Sequence, residues 1–574
     1  MNSLAALRYN RDPRRKETGS RPVHRHMHMF CFQCQETSQR KGCTSGGTCG
    51  KDEATANRQD LLVFVLRGIG VASRAARHAG VAPDKAVGQY VYRALYATIT
   101  NTNFDLDRID ALVVEGLALK RRQLQAAGAR VGLAALPEAA TWDTEDPKER
   151  RNKGYQVGVL ETEDEDIRSL RETITYALKG IAAYAHHADL LGSFDPQLAD
   201  FVLDALAGLT DPLSVDQLFE LALATGRATV TAMALLDQAN VDRYGVPRAS
   251  RFSIGVGDRP GILVSGHDLK DMEELLEQTR DAGVDVYTHG EMISAQYYPA
   301  FRKHPHLAGN YGNSWWRQDE EFARFNGPIL MTSNCIIPVT PAYKDRIFTA
   351  GVAGYPGVRH LAGRRPDGSR DFGEVIALAK RSPPPEPIDT GEMVGGFGHE
   401  QLVAYQDKLL ELVRAGRVRR VIVIGGCDGR DLSREYYKDL ARALPQDTLI
   451  LTGGCTKFMF WKLPLGEIDG IPRVLDAGQC ADCYSLVAFA LKLKETLGLA
   501  DPNGLPLSIN VAWYDQKAVA VLLALLALGF RGMRLGPSLP AFLSPNVLRR
   551  LVDVYQLRAA GTVEEDLAAM MRGE

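Results

Sequence analysis

Residues 420–427 read RVIVIGGC, and the fold turns on how this stretch is read. Four consecutive Val and Ile residues favour a strand, because β-branched side chains suit a pleated surface and lose rotamer freedom in a helix. Two glycines follow, which let the backbone come close to a bound object, and then a cysteine, Cys427. From residue 241 onward, short runs of this kind alternate with amphipathic helical segments, as in a parallel α/β sheet.

The pattern recurs, each time with a metal-competent side chain just past the strand. GILVSGH (261–267) delivers His267 and VDVYTHGE (284–291) delivers Glu291. PILMTSNC (328–335) delivers Cys335, TLILTGGC (448–455) Cys455 and RVLDAGQC (473–480) Cys480. SINVAWYDQK (508–517) delivers Asp515 and Lys517. Ligands of open parallel sheets bind beyond the carboxyl ends of the strands. Two α/β units facing each other would bring all of these residues to one buried centre. Any one of them alone is equally well explained as a small core thiol or a satisfied polar group; four cysteines at corresponding places are much less so. Thiolates select iron–sulfur clusters or zinc, and so many ligands exceed one tetrahedral zinc. A polynuclear iron centre with sulfide and oxygen character fits the set better.

Outside this half the pattern differs. From Gln59 to about Gly245 apolar residues recur at helical spacing, and SVDQLF (214–219) opens with an N-cap serine, so residues 29–240 form a cysteine loop followed by an all-α bundle. His186 and His187 are placed on the surface of one of these helices. A Pro-rich stretch, residues 381–399, divides two α/β domains at 241–395 and 396–574. Residues 1–28 are basic and polar, a disordered tail or the product of too early a start codon, with Met29 an equal start; their HRHMHM tract is read as solvated.

The chain has 574 residues, 45% hydrophobic and 24% charged, the make-up of a globular protein with about three or four domains. A net charge of −2 argues against a nucleic-acid partner. The longest apolar run, AVAVLLALLALGF (518–530), is too short for a membrane span and reads as a buried helix. No apolar signal core follows the twin arginine of the first residues, so a cytoplasmic location is expected, where thiols stay reduced and clustered cysteines bind metal. That expectation bears on MFCFQCQETSQRKGCTSGGTCGK (29–51), where Cys31, Cys34, Cys43 and Cys49 stand in C-x2-C-x8-C-x5-C spacing. The compartment disfavours two disulfides, and the spread second pair favours a [4Fe–4S] cube over a zinc knuckle without excluding zinc. Two separated iron–sulfur centres imply electron relay from one to the other.

Read in order, MFCFQCQET, SGHDL, YTHGEM, NYGNSWW, NGPILMTSNC, GGCDGR, DAGQC and WYDQKAV make the chain from Met29 to its C-terminus resemble the hybrid-cluster (prismane) protein family, the hydroxylamine reductases. The resemblance implies a helical domain followed by two Rossmann-like parallel α/β domains, a prismane/carbon monoxide dehydrogenase-like fold. It implies a [4Fe–4S] cluster on Cys31, Cys34, Cys43 and Cys49, and a hybrid [4Fe–2O–2S] cluster on His267, Glu291, Cys335, Cys427, Cys455 and Cys480, with Cys427 as a persulfide and Lys517 beside the cluster. It also implies catalytic roles for Glu291, His267, Cys427 and Lys517, hydroxylamine as substrate, an electron-donor protein and a monomer. Nitric-oxide reduction or a nitrosative-stress role stands as the alternative, and a carbon monoxide dehydrogenase-like activity fits less well. The chain departs from the family at Asp515, which stands where the family's WYEQK motif has a glutamate. Direct ligation by this shorter carboxylate is the expectation, a bridging water or an open iron position the alternatives. An additional cysteine, Cys483, is expected to be a buried, unligated thiol.

Overall fold

The computed structural model describes residues 29–128, 132 and 135–574, so the basic tail at 1–28 lies outside the described residues. The first part is helical. Its long helices are α1 (Glu53–His78), α2 (Lys85–Ala97), α3 (Leu106–Ala127), α4 (Glu165–Leu190), α5 (Pro196–Gly208) and α6 (Val215–Tyr244). Each of the first five begins on an aspartate, namely Asp52, Asp84, Asp105, Asp164 and Asp195, whose carboxylate accepts from a first-turn amide. Ser214 opens α6 with a reciprocal capping box to Gln217. The apolar stripes meet in one core that includes Leu61, Leu66, Ile174, Ile181 and Leu206. By length and composition α6 could cross a bilayer. Its Leu218, Ala222, Thr225, Thr229 and Met233 are nevertheless buried within the protein.

Two six-stranded parallel sheets follow. The first holds β1 (Gly261–Ser265), β2 (Asp285–His289), β3 (Leu307–Asn310), β4 (Ile329–Met331), β5 (Ile347–Thr349) and β6 (Arg359–His360), in the order β3-β2-β1-β4-β5-β6. The second holds β7 (Arg420–Gly426), β8 (Thr448–Thr452), β9 (Val474–Asp476), β10 (Leu507–Ala512), β11 (Arg534–Gly536) and β12 (Arg558–Ala559), in the order β9-β8-β7-β10-β11-β12. Both are the same doubly wound order, which reverses direction beside its first strand and opens a crevice there. All seven strands expected from the sequence form. The others are two to four residues long, too short to carry a periodic signal. β1, β2 and β8 are buried along their whole length, as parallel strands covered on both faces must be.

Two contacts lock these parts together. Helix α7 (Gln516–Ala527), which leaves β10, packs against α4 and α6 rather than staying within its own unit. Glycine makes the approach possible: a Cβ on Gly180 would lie 2.6 Å from the Ala520 Cβ, and one on Gly226 would lie 2.1 Å from the Leu523 carbonyl oxygen. The Pro-rich stretch is also not a loose tether. Its Glu392–Gly395 segment pairs antiparallel with Ser250–Ser253, and the Gly396 and Phe397 amides donate to the Asp476 carbonyl at 2.9 and 2.8 Å.

Candidate metal centre

Strand register brings the chemistry to one rim. Ser265 is level with both His289 and Met331, so His267, Glu291 and Cys335 leave the first sheet at the same edge. In the second sheet Gly426 is level with Ala512 and Thr452 with Asp476, which aligns Cys427, Cys455, Cys480 and Asp515 in the same way. The turns are tight. Gly426 has φ +119°, and a Cβ there would sit 2.1 Å from the Ala512 carbonyl oxygen; Gly454, at φ +82°, would meet the Gly426 carbonyl oxygen at 2.4 Å. No other residue fits either place. Cys335 itself has φ +81°, a left-handed conformation that a side chain adopts only when its surroundings impose it.

The two rims face each other. Nε2 or Nδ1 of His267, a carboxylate oxygen of Glu291 and Sγ of Cys480 lie within 4.8 Å of one another. The His267 Nε2 to Glu291 Oε2 distance is 3.8 Å, and the Cys480 amide donates to the same oxygen at 2.5 Å. Cys335, Cys427 and Cys455 pack in one cluster with Trp315 and Tyr514. Lys517 donates to His267 Nε2 at 2.9 Å and to Asn334 Oδ1 at 3.1 Å. The structure thus brings all the strand-end residues together around one buried space.

The electrostatics of that space suit a bound cation. Burial first, then neighbouring acids and thiols, pushes the Cys335, Cys455 and Cys480 thiols well above their ordinary range. Cys427 is pushed up to about 12 by burial and then by Asp515. Burial pulls Lys517 down, but Cys480 and Asp515 outweigh it and hold the ammonium well above the usual lysine range. Burial, with Lys517 nearby, holds His267 neutral. Glu291 Oε1 is buried with no hydrogen-bond partner, a costly state that a metal ion would relieve. A multiply charged metal also turns a set of reluctant thiols into thiolates. The donor set therefore fits a metal cluster.

The opening loop lies against this rim. The Gln35 amide donates to the Tyr514 carbonyl at 3.1 Å, and Gln516 Nε2 donates to the Gln33 carbonyl at 2.5 Å. Glu36 Oε1 accepts from the amides of Arg430 and Asp431, just past Cys427. Within the loop, Cys31 and Cys43 exchange backbone hydrogen bonds of 3.0 and 2.8 Å. Burial, with Cys49, Cys31 and Cys43 nearby, raises the Cys34 thiol well above its ordinary range. The loop sulfurs form no trio within the 4.8 Å that groups His267, Glu291 and Cys480. Tyr514 links the two groups of cysteines: its ring packs with Cys335, Cys427 and Cys455, and its carbonyl takes the Gln35 amide next to Cys34.

Several residues at the site carry no strong sequence signal. Ser333 Oγ takes the His267 amide at 2.8 Å and lies 3.0 Å from Nδ1, which orients the ring. Asn334 bridges Lys517, Cys335 and Tyr96, its amide nitrogen reaching Cys335 Sγ at 3.3 Å and its Oδ1 accepting from Tyr96 at 3.0 Å. Lys457, fully buried, pairs with Asp476 at 2.6 Å and fixes the end of β9. Only their place beside a cysteine-bearing turn could have pointed to Ser333 and Asn334. His186 and His187 correct the sequence reading: they are partly buried and face inward. His187 Nε2 lies 3.1 Å from the Tyr96 hydroxyl, and burial pulls its pKa down to about 4. The helix stripe that carries them points to the α/β units, a packing that α4's own periodicity does not reveal. Cys483 is buried and, with Cys427, Cys480 and Lys517, lines a narrow apolar cavity of about 60 Å³.

Comparison with known proteins agrees with this geometry. Residues 29–568 match the model of the Prismane/CO dehydrogenase family. A protein named hydroxylamine reductase from Nitratidesulfovibrio vulgaris (strain Hildenborough) is 54% identical over 556 residues, covering 95% of this chain and 100% of its own. Another of that name, from Halothermothrix orenii, is 52% identical over 556 residues, covering 96% of this chain and 100% of its own. Among solved structures, carbon monoxide dehydrogenase IV from Carboxydothermus hydrogenoformans superposes with a TM-score of 0.56 at 15% identity, over 94% of this chain and 92% of that one. At that identity the likeness concerns the fold alone.

Proposed function

The chain belongs to the Prismane/CO dehydrogenase family, and on that premise we propose that it is an iron–sulfur hydroxylamine reductase. The reaction is NH2OH + 2 e⁻ + 2 H⁺ → NH3 + H2O. One observation carries the reading: His267, Glu291 and Cys480 gather within 4.8 Å, with three further cysteines at the facing strand ends. The full-length relatives named hydroxylamine reductase support it.

When bound, a hybrid [4Fe–2O–2S] cluster held by His267, Glu291, Cys335, Cys427, Cys455 and Cys480 supplies Lewis acidity and electrons at the N–O bond, and a [4Fe–4S] cluster on Cys31, Cys34, Cys43 and Cys49 relays those electrons from a donor protein. The protein's own residues do the rest. Ser333 fixes the His267 ring through Nδ1, leaving Nε2 for ligation. That nitrogen has one lone pair, and Lys517 donates to it here. With Nε2 engaged by a metal, Lys517 Nζ would keep its hold on Asn334 Oδ1 and would be free to give a proton to the departing oxygen. The Cys480 amide pins Glu291 Oε2, leaving the orphaned Oε1 as the carboxylate's free donor. The cavity beside Cys427 and Cys480 is lined mainly by apolar side chains, which offer water few partners next to the centre.

The test is iron and acid-labile sulfide analysis with EPR on anaerobically prepared protein, together with hydroxylamine turnover on a reduced dye. Two spectroscopically distinct iron clusters, little zinc and stoichiometric ammonia are expected. Iron-replete protein that makes no ammonia would sink the reductase reading, and one or two zincs without iron would sink both cluster assignments.

A further inference from the structure

Asp515 is the strand-end residue whose role the sequence left open, and its two oxygens are both engaged within the protein. Oδ1 accepts from the Lys517 amide at 2.9 Å, which makes Asp515 the N-cap of α7. Oδ2 accepts from Asn334 Nδ2 at 3.3 Å. Asn334 in turn accepts from Lys517 Nζ at 3.1 Å through its Oδ1. The three residues close a ring: Asp515 holds the backbone of Lys517 through Oδ1, and its Oδ2 holds the ammonium both directly, at 3.9 Å, and through Asn334.

Chain length explains the arrangement. An aspartate in extended backbone at a helix start, here φ −108° and ψ −177°, curls its carboxylate back onto the first-turn amides. A glutamate is one methylene too long for that bond, so its carboxylate extends away from the helix end. The positive end of α7 also favours a carboxylate at this position. The departure from glutamate therefore changes what the residue does, not only how far it reaches.

Resting on the cluster reading above, we propose that Asp515 is not a metal ligand but a positioning residue, which caps α7 and aims Lys517 into the centre. The centre then has His267, Glu291 and the four strand-end cysteines as its protein donors.

The experiment uses full-length, anaerobically prepared, iron-loaded protein carrying Asp515→Ser or Asp515→Ala. Serine is a good N-cap and a poor iron ligand; alanine is neither. EPR and Mössbauer parameters of the second cluster are expected to match wild type in both variants. Amide exchange across the first turn of α7 is expected to rise about fivefold in the alanine variant and to return toward wild type in the serine variant. A cluster spectrum shifted alike in both variants, with exchange unchanged, would overturn the proposal. Wild-type protein without a second cluster would defeat the functional reading instead, while the exchange comparison still decides whether Asp515 caps the helix.

Discussion

Lys517 Nζ lies 2.9 Å from His267 Nε2, joining the end of β10 to the end of β1 across the space between the two sheets. The ammonium is buried, held at 3.1 Å by Asn334 Oδ1 and 3.9 Å from the Asp515 carboxylate. It is thus a proton donor already in place, where water is scarce. Lys517→Met, which keeps the stem and removes the charge, should lower kcat for hydroxylamine reduction by about 10²-fold or more. Iron content should stay near wild type, because the lysine is not a ligand. Steady-state turnover on a reduced dye, normalised to iron, checks this; loss of iron in step with activity would assign Lys517 a structural role.

Gly180 sits behind the same lysine on α4. A Cβ there would lie 2.6 Å from the Ala520 Cβ, 3.0 Å from the Gln516 carbonyl oxygen and 3.2 Å from the Lys517 Cα. None of these atoms belongs to a flexible side-chain tip, so Gly180→Ala must push the two helices apart. Overpacking of this kind costs about 1–3 kcal/mol. Thermal unfolding should show the loss, and kcat should fall in iron-normalised protein because the start of α7 moves. Unchanged kcat with lowered stability would mean that α7 yields further along its length, beyond Lys517.

Part of this arrangement was legible in the sequence. The runs ending at Cys427, Cys455 and Cys480 were readable because β-branched residues, glycines and a cysteine stand side by side in the chain. Convergence on one centre was readable as a consequence of parallel topology. The ring of Asp515, Asn334 and Lys517 was not, because Asn334 and Lys517 come from different sheets and their pairing depends on register. Nor was the inward place of His186 and His187: α4 buries most of its circumference, so its periodicity does not say which stripe faces the site. The short strands from Leu307 to Asn310 and from Arg534 to Gly536 form because longer neighbours offer them partners, not because their sequences demand it.

Asp237 on α6 offers a pH test away from the centre. Burial, then Glu400, raises its pKa from 3.8 to about 7. His399, 3.7 Å away, is held below its ordinary value by burial, so near pH 7 the pair is not an ion pair. A carboxyl whose folded pKa lies above its unfolded value favours the fold fully below the unfolded pKa. That contribution is lost as pH rises toward about 7. Asp237→Asn mimics the neutral form. It should raise the melting temperature less at pH 5 than at pH 8, by a difference on the order of 1–2 °C. An equal shift at both pH values would show that Asp237 does not titrate in this window.

Glu291 gives the sharpest test of the centre itself. Its Oε2 is fixed by the Cys480 amide, its Oε1 has no partner, and His267 stands 3.8 Å away. In Glu291→Gln the amide group keeps the shape and loses the charge. The Cys480 amide still needs an acceptor, so the carboxamide oxygen turns to it, and the NH2 group takes the Oε1 position. An NH2 group cannot bind a cation, so the variant places a donor where the wild type has a free lone pair. The second cluster should then be lost or altered in EPR, while the signal of the cluster on Cys31, Cys34, Cys43 and Cys49 persists, because that loop makes none of these contacts. Hydroxylamine turnover should fall by about 10²-fold or more, as when a metal site loses a supporting group. Loss of both signals together would mean that the two centres assemble as one unit, and an unchanged second signal would remove Glu291 from the ligand set.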